Sequence, residues 1–179
     1  MQFAFVSGDS ALDLTGTVQK RRTLVQDLLA EPQDFARWVE ESGLLDHRIQ
    51  VRPWEFTAAL ELREALYRLA LATAGRRELD PDDCGIVNDL AAGLPVRRRL
   101  NPDGTATRAG DAAAVLASLA RRGVELLAGP SAARIKECAA DGCTRLYLDG
   151  SKTGSRRWCD MRRCGNRAKV AEFRARRAG

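Results

Sequence analysis

The sequence has little of what common enzyme sites require. Its 179 residues include one histidine, His47, and a lone histidine is more often a surface or core residue than a catalytic one. We find no phosphate-binding loop, metal-hydrolase motif or nucleophile elbow. These absences lead us to expect a protein that is not an enzyme.

Long apolar runs are also missing. No stretch approaches the roughly 20 apolar residues of a membrane span. Met1 to Leu14 has neither the basic start nor the apolar run of a signal peptide. We therefore expect a cytoplasmic protein with no membrane partner.

Positive charge is unevenly distributed along the chain. Residues 134–179 hold 13 Lys and Arg against 5 Asp and Glu, a surplus of +8. Residues 1–133 hold 16 against 19, a balance of −3, so the net charge is +5. This asymmetry is typical of a globular body joined to a basic module that meets a polyanion.

Four of the five cysteines lie in the basic module as two pairs, Cys138/Cys143 and Cys159/Cys164. Each pair has the spacing C-x4-C, and fifteen residues separate the pairs. This pattern predicts one structural zinc ion held by four thiolates from two facing turns. Two disulfides or a redox switch remain alternatives, although a reducing cytosol disfavours disulfides. Cys84 has no partner, and we expect it to be a buried apolar residue.

The residues between and after the pairs predict a hairpin followed by a helix. Leu146 to Leu148 favour a strand, Asp149-Gly150 a turn, and Arg156 to Trp158 a returning strand. After Cys164, Val170 and Phe173 recur at helical spacing and would pack against the module. The basic module has too few apolar side chains to form a sufficient hydrophobic core. We therefore expect the zinc ion to stabilise its fold in place of a core.

Basic residues surround these elements and indicate a nucleic-acid interface, with duplex DNA as the expected partner. Counting four thiolates and Zn²⁺, the module still keeps a charge of +6. Asn166 could read an adenine, but bracing of the zinc loop is the favoured interpretation. The expected contacts are Lys152, Arg156, Arg157, Arg162, Arg163, Arg167, Lys169, Arg174, Arg176 and Arg177.

The segments 138–149 (CAADGCTRLYLD) and 158–169 (WCDMRRCGNRAK) resemble the CGNR zinc finger, named for the tetrapeptide at Cys164 to Arg167. Residues 8–17 (GDSALDLTGT) and 35–45 (FARWVEESGLL) resemble the ABATE domain that usually precedes this finger in bacterial proteins. The resemblance implies a stress-induced transcription regulator, and we expect such a protein to be associated with the nucleoid. Gly16 departs from the ABATE pattern, which usually has Asn at this position.

The remaining sequence predicts a mostly helical α+β domain over residues 1–130 and a four-Cys zinc finger over residues 131–179, with the break near Gly129-Pro130. A strand is expected at Gln2–Val6 and a hairpin over Val96–Leu100 and Thr105–Ala109. Asp111 should cap a final body helix. The other expected helices are Thr17–Ala30, Pro32–Ser42, Pro53–Ala74 and Asp80–Ala92.

A small-molecule effector of acidic character is a further expectation, with Asp13, Arg21 and Arg22 as candidate ligands. The alternative is that Asp13 caps a helix that starts near Thr15 and that the arginines are solvated. A homodimer is plausible because one small finger buries little DNA surface. We thus expect a DNA-binding regulator, and an RNA- or ribosome-binding protein or a protein-interaction adaptor are the alternatives.

Overall fold

The structure is a computed structural model that describes residues 2–178, with the backbone alone at residues 172 and 175–178. The described residues form the expected α+β fold, in which helices dominate and the strands are short. The helices are α1 (Ser10–Thr15), α2 (Pro32–Ser42), α3 (Pro53–Ala74), α4 (Pro81–Ala91), α5 (Ala112–Ala128) and α6 (Asn166–Ala178). The strands are β1 (Val18–Gln19), β2 (Gln26–Asp27), β3 (Arg97–Leu100), β4 (Ala106–Ala109), β5 (Ile135–Glu137) and β6 (Leu146–Leu148). The pairs β1–β2, β3–β4 and β5–β6 are antiparallel.

The core of the body forms around α3, which contacts α1, α4 and α5. Leu62 and Leu69 of α3 meet Leu116 and Leu119 of α5, and all four side chains are almost fully buried. Each contributes on the order of 1.5–3 kcal/mol through removal of apolar surface from water. Trp38 of α2 closes one side of this core.

The residues that the sequence predicts as helix start and stop signals occupy those positions in the structure. Pro32 and Pro53 occupy the first turns of α2 and α3, where a missing backbone N–H costs nothing. Gly43 ends α2 with φ of +67°, a conformation that glycine adopts without strain. Asp111 accepts a 2.9 Å hydrogen bond from the backbone N–H of Ala114 at the start of α5. The predicted β3–β4 hairpin is also present, with Arg97 opposite Ala109.

The predicted helix over Thr17–Ala30 is wrong. A short helix, α1, precedes it, and residues 18–27 form the β1–β2 hairpin. Tertiary contacts override the local helical pattern, because the buried guanidinium of Arg63 binds both carboxylate oxygens of Asp27 at 2.7 and 2.8 Å. Lys20 turns the chain between the strands with a left-handed φ of +54°.

The predicted strand at Gln2–Val6 is also absent. The carbonyl of Ala4 accepts a hydrogen bond from Arg145 at 3.1 Å, and that of Val6 accepts one from Arg156 at 3.3 Å. Two arginines of the basic module therefore bind backbone groups that a neighbouring strand would otherwise satisfy.

The basic module packs directly on the body. Ile135 of β5 and Leu146 of β6 share a buried apolar cluster with Leu12 of α1, Tyr67 of α3 and Leu126 of α5. The backbone N–H of Leu148 also donates to the carbonyl of Ser7 at 2.7 Å. The β5–β6 hairpin is therefore anchored by body residues as well as by its own loop.

The hairpin of the module differs from the expected one. Leu146–Leu148 is a strand as predicted, but it pairs with Ile135–Glu137 instead of Arg156–Trp158. The first cysteine pair consequently lies in the loop of the hairpin. Residues 156–158 instead meet the hairpin through a backbone–backbone hydrogen bond from the N–H of Ala139 to the carbonyl of Arg157 at 2.9 Å.

Candidate metal centre and nucleic-acid interface

The four cysteines of the two C-x4-C pairs converge on one point. Cys138 and Cys143 lie in the β5–β6 loop, where Gly142 turns the chain with φ of +65°. Cys159 follows the long loop after β6, and Cys164 lies in a π-helical turn (Met161–Gly165) that leads into α6. Their four Sγ atoms all lie within 4.8 Å of one another.

This geometry fits one tetrahedral ion. Zn–S bonds of about 2.3 Å place neighbouring sulfurs of a tetrahedron roughly 3.8 Å apart. The Sγ of Cys159 lies 3.6 Å from that of Cys164 and 3.9 Å from that of Cys143. A disulfide needs about 2.05 Å, and all five cysteines are free. The donor set therefore suits a single structural zinc ion.

The electrostatics of the thiol cluster also call for a cation. Hydrogen bonds from Cys143 and Cys159 lower the pKa of Cys138 to about 2. Burial, and then the charges of Cys143 and Cys138, raises the pKa of Cys164 to about 12. The pKa of Cys159 is also raised, first through its hydrogen bonding to Cys138. The four thiols cannot all ionise side by side unless a cation offsets their charge, so binding of Zn²⁺ would release protons.

Each residue after Cys164 in the CGNR tetrapeptide has a structural contact. A Cβ on Gly165 would lie 2.7 Å from the Sδ of Met161, so the exposed Met161 side chain would have to shift to admit another residue in this buried turn. Asn166 donates from its side chain to the carbonyl of Arg162 at 3.2 Å, which agrees with the bracing interpretation. Arg167 donates to the carbonyl of Asp141 at 3.2 Å and lies 3.9 Å from the Sγ of Cys164. Arg167 thus ties α6 to the first cysteine loop.

The long loop between β6 and Cys159 is organised by Asp149, which the sequence predicts only as a turn residue. Its buried carboxylate accepts hydrogen bonds from Lys136 Nζ at 2.7 Å and from the hydroxyl of Ser151 at 2.6 Å. It also accepts one from the backbone N–H of Arg156 at 3.1 Å. The hydrogen bonds from Lys136 and then from Ser151 hold the pKa of Asp149 well below its usual range. The local sequence around Asp149 does not indicate that Lys136, on strand β5, is its partner.

The expected nucleic-acid contacts fall into three groups. Arg156 is half-buried, donates to the carbonyls of Trp158, Val6 and Cys159, and lies over the Tyr147 ring, so its guanidinium braces the module. The side chains of Arg176 and Arg177 lie outside the described residues. The remaining seven are exposed: Lys152, Arg157, Arg162, Arg163, Arg167, Lys169 and Arg174. None of these seven forms a salt bridge within the described part of the chain.

Helix α6 presents both apolar and basic side chains to solvent. Val170 and Phe173 were expected to pack on the module, but they are 48% and 54% exposed. The helix makes its most extensive contacts with the preceding π-helical turn. It therefore projects a mixed surface that a partner could cover.

The candidate effector ligands are not brought together. Asp13 is buried within α1 and accepts a 2.9 Å hydrogen bond from the backbone N–H of Ser7. Asp9, not Asp13, caps α1, so the capping interpretation of Asp13 is wrong. Arg21 pairs with Glu64 at 2.5 Å, and Arg22 pairs with Glu137 of β5. Each arginine thus already has a carboxylate partner.

Comparison with known proteins agrees with the geometry of the two parts. Residues 8–130 match the ABATE family, described as a "putative stress-induced transcription regulator". Residues 134–177 match the CGNR zinc finger. A search of curated proteins gave no match. Within the described residues, no helix has both the length and the apolar character needed to cross a membrane.

Neither matched description names an enzyme, and the four-thiol cluster lies inside the segment matched to the finger. The ABATE match alone covers well over half of the 179 residues. The chain therefore belongs to the ABATE family and carries a CGNR zinc finger over residues 134–177.

Proposed function

We propose that this protein is a DNA-binding transcription regulator of the cytoplasm and nucleoid, and that its zinc finger makes the DNA contacts. The observation that carries the proposal is the group of seven exposed cations in the module that holds the thiol cluster, none of which forms a salt bridge with another residue that the structure describes. Exposed guanidinium and ammonium groups without carboxylate partners suit phosphate oxygens, and their binding releases counterions from DNA.

The zinc ion is the structural basis of this surface. We propose Cys138, Cys143, Cys159 and Cys164 as its ligands. The π-helical turn that carries Cys164 also carries Arg162 and Arg163, so metal binding would fix these cations and the start of α6. The ion supplies the structural constraint, and the arginines contact the phosphates.

Helix α6 extends the cationic surface away from the metal centre. Arg167 and Arg174 are seven residues apart, about two helical turns, and therefore share one side of α6. Lys169 adds a cation on another side. If about five of the exposed cations contact phosphates, the log–log salt dependence of duplex binding has a slope of roughly −4.5.

We further propose two functional units with a boundary near residue 130. The body (1–130) would sense an effector, and the finger (131–179) would bind DNA. The apolar cluster that Ile135 and Leu146 share with the body gives a direct route between the units.

A homodimer would double the small DNA surface that one finger covers, and light scattering of the free protein and its DNA complex tests this.

The test is binding of the zinc-loaded full-length protein to labelled duplex DNA and to structured RNA of equal length. The variant Lys169→Ala/Arg174→Ala should weaken duplex binding and flatten its salt slope by about 1.8, and it leaves in place Arg167, which ties α6 to the first cysteine loop. The matched control is Arg76→Ala/Arg77→Ala, which removes the same charge from exposed residues at the end of α3. Equal losses of affinity in both variants would mean that net charge alone drives binding. Tighter binding to RNA than to duplex DNA would mean that RNA is the partner.

A protein-interaction adaptor is the second candidate function. Exposure of Met161, Val170 and Phe173 on the π-helical turn and α6 favours it, since partners commonly cover such apolar side chains. Val170→Ser/Phe173→Ser distinguishes the candidates. Retained DNA binding by this variant supports the phosphate interface, whereas absence of DNA binding in the wild type together with one stable protein partner supports the adaptor.

A further inference from the structure

The β3–β4 hairpin of the body carries three consecutive arginines, Arg97, Arg98 and Arg99. All four residues of β3 are exposed, so neither face of this strand is buried. Among the elements that the structure describes, β3 and β4 pack extensively only on each other. The hairpin therefore projects from the body as a two-stranded ribbon.

The hairpin and the finger lie at opposite ends of α5. Strand β4 leads into α5 at Ala112, whereas Leu126, near the other end of the helix, contacts the finger. The helical rise between these two residues is about 21 Å. The hairpin is thus a different surface from the one around the thiol cluster.

The hairpin keeps a positive charge after its acidic neighbours are counted. Residues 94–110 hold four Arg against one Asp, a surplus of +3, whereas residues 1–133 together have a balance of −3. Arg108 pairs with Asp46 of the loop after α2 at 3.0 Å, which leaves +2. Within the described part of the chain, the three arginines of β3 form no salt bridge. Their guanidinium groups are available to an anionic partner.

The order of the hairpin does not depend on these three arginines. At its base, Asp46 accepts from the backbone N–H and the Nε of Arg108 at 2.6 and 3.0 Å. At its tip, the backbone N–H of Asn101 donates to the carbonyl of Thr105 at 2.8 Å. Arg98 lies directly opposite Arg108, and like charges in this position destabilise a strand pair. Stability of the fold therefore does not explain the arginines.

The shape of the ribbon fits the major groove of duplex DNA. Paired strands lie about 4.8 Å apart. The major groove is about 12 Å wide and admits a two-stranded ribbon, whereas the minor groove is about 6 Å wide. Arg97 and Arg99 point to the same face, with Thr107 opposite Arg99. An arginine in the groove can bind guanine through two hydrogen bonds and can also bind phosphate.

Other nucleic acids fit the hairpin less well. Residues 94–110 contain no aromatic side chain on which unpaired bases could stack. The major groove of A-form RNA is deep and narrow, and side chains cannot read it. Duplex DNA is therefore the partner that charge and shape favour.

We propose that the β3–β4 hairpin is a second DNA contact and that it enters the major groove with Arg97 and Arg99 against the duplex. The proposed function places the DNA contacts on the finger, so this inference gives the body a DNA-binding role as well. Both contacts rest on duplex DNA as the partner, but neither requires the other. Two additional phosphate contacts would steepen the salt slope expected for the finger alone by about 1.8.

The first experiment measures the affinity of zinc-loaded full-length protein for duplex DNA of mixed sequence across a salt series. We expect Arg97→Ala/Arg99→Ala to weaken binding and to flatten the salt slope by about 1.8, whereas Arg97→Lys/Arg99→Lys keeps the slope. Because both side chains are exposed, the melting temperature and the zinc content should stay unchanged. The matched control is Arg76→Ala/Arg77→Ala, and equal losses of affinity in the control and in the alanine variant of the hairpin would overturn the proposal.

The second experiment tests the placement in the major groove. Its probe is a duplex in which glucosylated 5-hydroxymethylcytosine replaces cytosine, because the attached sugar occupies that groove. We expect the effect of Arg97→Ala/Arg99→Ala on affinity to disappear with this duplex and to persist with the unmodified one. An equal effect on both duplexes would place the hairpin outside the groove and overturn this assignment.

A comparison with the finger variant Lys169→Ala/Arg174→Ala separates the two interfaces. Loss of affinity in both variants supports both contacts. Loss in the hairpin variant alone supports the hairpin and overturns the finger interface of the proposed function. Loss in the finger variant alone supports the proposed function and overturns the hairpin contact, and absence of duplex binding by the wild type overturns both.

Protection of the exposed strand edges against pairing with a second copy is the alternative role for the arginines. Light scattering of Arg97→Ala/Arg99→Ala tests this alternative. The wild-type mass together with a reduced DNA affinity supports the DNA contact. Self-association of the variant, with a DNA affinity equal to that of the control, would assign the arginines to edge protection and overturn the proposal.

Discussion

Removal of zinc should unfold the two cysteine loops and α6 while the body stays folded. Between residues 149 and 178, the buried sulfurs of Cys159 and Cys164 are the main apolar groups that the described side chains place in a cluster, with Trp158 packed against them. Burial of these few groups cannot by itself offset the conformational entropy that this segment loses on ordering. A structural zinc contributes on the order of 10–16 kcal/mol, far more than the buried sulfurs contribute by themselves.

Removal of zinc should disturb the β5–β6 hairpin less than the cysteine loops that it supports. Ile135 and Leu146 are buried against the body, and each contributes on the order of 1.5–3 kcal/mol independently of the metal. After chelation we expect loss of amide-exchange protection over residues 138–145 and 157–170, with much of it retained at 135–137 and 146–148. Tryptophan signals provide a second readout, because Trp158 packs at the thiol cluster whereas Trp38 lies in the body core.

Variants make this prediction specific. Cys164→Ala should lower zinc stoichiometry and reproduce the chelated exchange pattern, whereas Cys84→Ala, outside the cluster, should keep one zinc per chain. To isolate the fluorescence of Trp158, Trp38 and Trp54 can be replaced by Phe. Unchanged exchange over residues 157–165 after complete zinc removal would refute the claim that the metal substitutes for a core. Simultaneous loss of the body would show that the two units unfold together.

Three further substitutions test particular contacts. Asp149→Asn should lower the melting temperature at pH 7; because the pKa of Asp149 is lowered in the fold, the deficit relative to wild type should persist down to about pH 4 and shrink below it. Gly165→Ala should change zinc retention little, because the Sδ of Met161 that the new Cβ would meet at 2.7 Å belongs to a flexible side chain that is 47% exposed; clear loss of zinc in this variant would show that Met161 cannot move aside. Trp38→Ala should cost the body about 3–5 kcal/mol in urea denaturation without changing zinc content, and a loss below 1 kcal/mol would contradict its placement in the core.

The sequence predicted those features that depend on short-range signals. Pro32, Pro53 and Asp111 mark helix starts through local backbone chemistry, and the structure confirms all three. The cysteine spacing likewise predicted a metal centre, because chelation by four thiolates leaves few arrangements of two tight turns.

The wrong predictions concern segments whose structure depends on residues that are distant in the sequence. Residues 17–30 have a helical pattern, but Arg63 on α3 binds Asp27 and fixes a hairpin instead. The partner of Leu146–Leu148 was misassigned because Ile135 owes its strand to packing on Tyr67 and Leu126 of the body. The acceptors of Arg156 are also distant in sequence, because no local pattern shows that Val6, some 150 residues away, supplies one of them.

The most direct test of the central claim is the salt dependence of duplex DNA binding by zinc-loaded and chelated full-length protein. The zinc finger interface predicts a slope of roughly −4.5 for the loaded protein and a large loss of affinity after chelation. A weak salt dependence, or equal affinity with and without zinc, would contradict the claim that the metal-organised cations bind DNA.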